Sequence, residues 1–177
     1  MYLKSNFELM ADYNQWMNQN IYLAASNLRA GALSKNRGAF FGSIIGTLNH
    51  VLVGDIIWLK RFAEHPSELN SLNYVRTLDK PKSLDTILHH EFEALEITRS
   101  KIDLIIKDFT QELSNDVLSS NLTYSNTKGE MFNKNLGYLV QHFFNHQTHH
   151  RGQISTLLNQ VGIDLGVTDL VARIPSE

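Results

Sequence analysis

Apolar residues recur at steps of three and four along four stretches of the chain, the spacing that turns one face of an α-helix toward a core. In the first stretch Phe7, Met10, Tyr13, Met17, Ile21, Ala24 and Leu28 carry the stripe, and the region of Gly31 and Gly38 ends it. The second, about residues 41–62, is apolar around most of its circumference, with Ile44, Leu48, Val51, Trp58, Leu59 and Phe62. A helix of that kind is either central in a bundle or covered by an oligomer partner. The third is expected to start with Ser83 as N-cap and carries Leu84, Ile87, Leu88, Leu95, Ile102, Ile105 and Phe109. The fourth, about residues 133–160, carries Leu136, Leu139, Val140, Phe143, Ile154, Leu157 and Leu158 and stops at Gly162.

The connections complete the expected architecture. About twenty residues, 63–82, separate the second and third stretches and are punctuated by Pro66 and Pro81, long enough to cross the end of a bundle. Residues 121–130 alternate apolar and polar positions up to Lys128-Gly129, which predicts a short hairpin before the last helix. No repeat or low-complexity tract divides the chain. The expectation is therefore an all-α fold, one four-helix-bundle domain over residues 1–177 with a long crossover between helices 2 and 3.

Composition narrows the function. The chain has no cysteine, which removes disulfides, thiolate ligands and a cysteine nucleophile and fits a reducing compartment. A formal charge of −2 with scattered Lys and Arg lacks the clustered basic face that nucleic acid needs. Lys4, Glu8 and Asp12 interrupt the N-terminal stretch, so it does not read as a signal peptide, and no stretch reads as a membrane span. A cytoplasmic protein without nucleic-acid or membrane partners is expected.

The candidate chemistry lies in histidines. Four of the eight, His142, His146, His149 and His150, fall in the string QHFFNHQTHHRGQ. Helical side chains four apart lie one turn along the same face, so two such imidazoles can reach one metal ion at about 2.0–2.1 Å. With His142 set at 0°, the apolar stripe of this helix falls at about 60–160°. His150 then lies inside it at about 80°, His146 on its edge at about 40°, and His149 outside at about −20°. His50, midway along the very apolar second helix, is the natural third ligand. His142 remains an extra ligand or a supporting group, while His65, beside Pro66, and His89 and His90 are poorer options. Position 147 is Gln, so the Glu that a HExxH zinc protease uses as general base is missing.

Among the supporting residues, Asp55 falls in the apolar arc of the second helix, where a lone charge is costly; it either orients a ligand histidine or pairs with Arg151. Glu91 interrupts the third stripe and is read as structural. Asn14 is read as a bridge between helices, Gln153 as lining an open metal position or the helix surface, and Gly152 as permitting close helix approach.

Several motifs together resemble the DinB/YfiT-like family of metalloenzymes, a family distinct from the similarly named DNA polymerase. They are Asn145-His-Gln-Thr-His-His-Arg-Gly-Gln-Ile154, the segment Gly42 to Phe62 with its Asp-x-x-Trp-Leu, Tyr13-Asn14-Gln-Trp16, Leu122-Thr-Tyr with Gly129, and Gly166-Val-Thr-Asp169-Leu. The resemblance implies a four-helix bundle, commonly a homodimer, with nickel or zinc held by three histidines that fall on His50, His146 and His150. It also implies thiol-dependent S-transfer or isomerisation among some relatives, while no catalytic residue is assigned. Three neutral histidines leave a coordination position open, where water falls in pKa toward about 7 and a thiol loses its proton. The expected substrate is a small electrophile, with a low-molecular-weight thiol supplied from outside because the chain has none. The alternatives are a metal-dependent hydrolase and a bundle whose metal is structural or sensed.

Overall fold

A computed structural model describes residues 3–176. The chain is mostly helical, with four long helices, α1 (Leu3–Ser26), α3 (Ile44–Phe62), α5 (Phe92–Glu112) and α7 (Leu136–Asn159). Three short ones intervene, α2 (Ala30–Ser34), α4 (Asn73–Thr77) and α6 (Asn115–Ser119). Strands β1 (Asn121–Ser125) and β2 (Met131–Asn135) form an antiparallel hairpin in which Tyr124 faces Phe132. The tail turns back onto α1, where the Tyr13 hydroxyl donates to the Thr168 carbonyl at 2.7 Å and Arg173 pairs with Asp12.

The long helices do not pack in chain order. α1 lies against α5 and α7, and α3 lies against the same two, so each consecutive pair, α1 with α3 and α5 with α7, sits across the core. The core between them is aliphatic and aromatic, with Phe7, Phe62, Phe109, Phe143 and Phe144 fully buried. The near-complete apolar circumference of α3 is consumed by this arrangement, since 15 of its 19 residues are buried within the chain itself. It therefore gives no argument for an oligomer interface.

Three expected boundaries move. α3 starts at Ile44 because Ser43 caps it, accepting from the Gly46 amide, while Phe41 belongs to a tight turn closed by the Ala39–Gly42 bridge. α7 starts at Leu136 because residues 131–135 are paired in the hairpin, and Asn135 caps it by accepting from the Tyr138 amide. The third long helix starts at Phe92, not at Ser83. Ser83 is engaged in a local turn, its amide and hydroxyl bonded to Thr86 and Asp85, an alternative that such side chains offer to the helix. Beyond it, the Asn49 side chain of α3 pins the backbone. Its Oδ1 accepts from the amides of Leu88 and His89 and its Nδ2 donates to the His89 carbonyl. The connection after α3 is consequently longer than expected, and it reaches the functional region.

Candidate metal centre

α3 presents His50, and α7 presents His146 and His150 across the seam between the two helices. One ring nitrogen from each lies within 4.8 Å of the other two, a group that could hold a metal ion. His50 and His150 are nearly closed off from solvent, at 4% and 9% exposure.

Hydrogen bonds orient two of the rings. His50 Nδ1 lies 2.7 Å from the Leu84 carbonyl, which can only accept, so Nδ1 carries the proton and Nε2 the lone pair. His150 Nδ1 lies 2.8 Å from Gln153 Oε1, and with the amide oxygen in that position Nδ1 donates and the same tautomer results. The two Nε2 lone pairs then face each other at 3.0 Å with no proton between them, an arrangement relieved by a shared cation. Imidazoles bound at about 2.0–2.1 Å place their nitrogens about 2.9–3.4 Å apart at angles between 90° and tetrahedral, so the His50–His150 pair has the spacing of two ligands on one divalent ion, and His146 offers a third nitrogen within 4.8 Å of both. Phe41 fixes the outer face of His50, stacked at 3.7 Å and 15°. Gly54 makes room for His146, since a Cβ there would meet His146 Cε1 at 2.6 Å.

Electrostatics keeps the rings in the ligand-competent neutral form. Desolvation pulls the pKa values of His50 and His150 below 6.5. His146 falls to about 3, through desolvation first and then the charges that His150 and His50 would carry.

Behind this site a buried polar ring ties the four long helices together. Asn14 and Asn18 of α1 donate to Asp103 of α5 at 3.2 and 2.8 Å. Arg99 of α5 pairs with Asp103 at 2.9 Å and with Asp55 of α3 at 2.5 Å. Gln147 of α7 donates to Asp55 at 2.9 Å, and Arg151 of α7 donates to Asn14, closing the circuit. Asp55, Asp103, Arg99 and Arg151 balance in charge, which buried ions require.

The three histidines singled out from the sequence are thus brought together, and the surrounding residues sort differently from expectation. Asp55 takes Arg99 as its direct partner instead of Arg151 or a histidine. Asn14 does bridge helices. His142 stays outside the ligand group, 6.4 Å from His146 between ring centroids and edge-on to Trp58 at 5.0 Å. Glu91 is exposed at the start of α5, where it makes no side-chain cap. His65 bonds Ser67 and Ser120, and His89 bonds Thr98. Gly152 has no neighbour that a methyl group would meet, and the close approach is at Gly54. Phe41, Leu84, Asn49, Arg99 and Asp103 were missed. Arg99 and Asp103 carried a signal, being charges four apart on the buried face of α5.

A mostly helical chain whose four long helices close round a polar ring and bring three neutral imidazoles together is a metal-competent helical protein. The model of the DinB family matches residues 1–177, and the chain belongs to that family. It is 26% identical over 162 residues to Protein DinB of Bacillus subtilis (strain 168), covering 89% of this chain and 87% of that protein. No solved structure matches it. Among the described residues, no helix is long and apolar enough to cross a membrane.

Proposed function

We propose that the chain binds one divalent metal ion, nickel or zinc, through His50, His146 and His150, and uses it in a thiol-dependent S-transfer to small electrophiles. The observation that carries the reading is the pair of Nε2 lone pairs held face to face at 3.0 Å by the Leu84 carbonyl and Gln153. Imidazole donors suit both metals. A divalent ion held by three neutral ligands would supply Lewis acidity and lower the pKa of a coordinated thiol or water. The chain's own part is to hold the rings neutral, fix their tautomers and keep the inner side dry. Small molecules, an external thiol among them, are the proposed partners, in place of nucleic acid or membrane, in a homodimeric cytoplasmic protein whose long helices act as a single bundle.

A structural metal is the second reading, favoured by the ligands' division between α3 and α7, which would make the ion a cross-link. Elemental mass spectrometry on untagged protein beside His146→Ala tests the site, with about one ion per chain expected in the parent and little in the variant. If the metal is catalytic, the variant loses thiol conjugation and stays folded; if structural, it loses melting temperature instead. Absence of metal after incubation with zinc and nickel would sink both readings.

A further inference from the structure

The rings along the α3–α7 seam form a continuous row. His150 meets His50 at 4.3 Å and His146 at 4.4 Å, His146 is followed by His142 at 6.4 Å, and His142 meets Trp58 at 5.0 Å. The row is exposed at both ends: His50 and His150 are nearly closed and His146 is half-buried, while His142 at one end and His149, 4.8 Å from His150 at the other, are exposed. One approach to the three histidines runs along the seam past His142 and Trp58, opposite the cleft that Phe41 and Leu84 line beside His50.

That approach is lined with cations. The Arg61 guanidinium lies 4.5 Å from the Trp58 ring centre and 5.1 Å from that of Tyr124, half-buried between them. Among the described residues it has no hydrogen bond or ion pair; Glu64 bears on it only from beyond ion-pairing distance. Lys134, exposed on β2, lies 5.0 Å from the Phe132 ring centre and has no acidic partner among the described residues either. The charges of Arg61 and Lys134 both bear on His142. The two cations lie over neighbouring rings, since Phe132 stacks on Tyr124 at 5.7 Å, in a protein whose net charge is −2.

We propose that Arg61 and Lys134, beside His142 and walled by Trp58 and Tyr124, form a subsite for the carboxylate of a small molecule whose other end reaches the three histidines. The inference rests on the metal reading above and names the substrate class. A guanidinium already held between two rings can present its fork to a carboxylate with less further loss of freedom than a free one. The aromatic walls suit a short apolar or planar body between carboxylate and reacting end. The carboxylate can belong to the thiol or to the electrophile.

Calorimetry on zinc-loaded protein with 3-mercaptopropionate and 3-phenylpropionate, each beside its methyl ester, tests the subsite. An acid preference of about tenfold is expected in at least one series, the scale of one charge-assisted hydrogen bond. Preference confined to the mercapto acid assigns the carboxylate to the thiol; preference in the phenyl series assigns it to the electrophile. Arg61→Met should abolish the preference and Lys134→Met reduce it to about threefold, both leaving zinc content unchanged. Lys134 is exposed, so its variant serves even if Arg61→Met fails to fold. Equal affinity for acid and ester in both series, or an undiminished preference in the folded variants, overturns the subsite. The phenyl pair repeated on His146→Ala separates the two proposals. Acid preference there without metal binding in the parent leaves the subsite standing and the metal reading lost, whereas metal binding without acid preference does the reverse.

Discussion

At Gly54 a single methyl group would occupy the space of the His146 ring. Gly54→Ala should therefore displace that imidazole and weaken zinc binding about 10–100-fold, the range seen when the supports of a ligand are altered. Competition with a chromophoric chelator reads the change, and unaltered affinity would show that His146 does not ligate. The same ring makes the metal-free protein sensitive to acid. Unfolded, its imidazole takes up a proton near 6.5; folded, it resists until about 3. Between those values the unfolded chain binds more protons, so stability falls as pH falls from 6.5 toward 3. Urea unfolding of chelator-treated protein at pH 7, 5.5 and 4.5 should show that decline, and it should be smaller in His146→Ala. The three histidines were legible because helical angle is a local property of the sequence. Leu84 and Phe41 were not, because a loop carbonyl or ring brought against His50 leaves no periodic trace.

Among the elements, the polar ring joins each long helix to its neighbours. Arg99 serves two carboxylates there, and Arg99→Met would leave both buried with one cation fewer. A loss of about 3–5 kcal/mol is expected in urea unfolding, as for other buried pairs broken on one side. Adding Asp55→Leu should recover part of that loss, because the orphaned charge is then removed. Additive losses would mean that the pair is not coupled. The four long helices were evident from apolar spacing, since tertiary packing rewards that spacing wherever it occurs. The start of α5 was not. Leu84, Ile87 and Leu88 fit a helical stripe, yet Asn49 claims the backbone of residues 88–89 and Ser83 folds into its own turn. The apolar character of Leu84 and Ile87 serves the cleft they line with Phe40 and Phe41 instead.

At the scale of the molecule, a metal that binds only the folded chain stabilises it by mass action. Zinc at about 100 times its dissociation constant should add about 2.7 kcal/mol, seen as a raised melting temperature in the parent and not in His146→Ala. The connection between α3 and α5 shares in this. Its Leu84 carbonyl holds the His50 proton, so the stretch is tied to the three-histidine centre by one bond from a residue 34 positions away in sequence. Whatever holds the imidazoles also holds that stretch, and whatever loosens the stretch frees His50 to change tautomer and withdraw its lone pair. Occupancy of the centre would then be written into the protease resistance of a surface segment, which a second protein could read without touching the histidines.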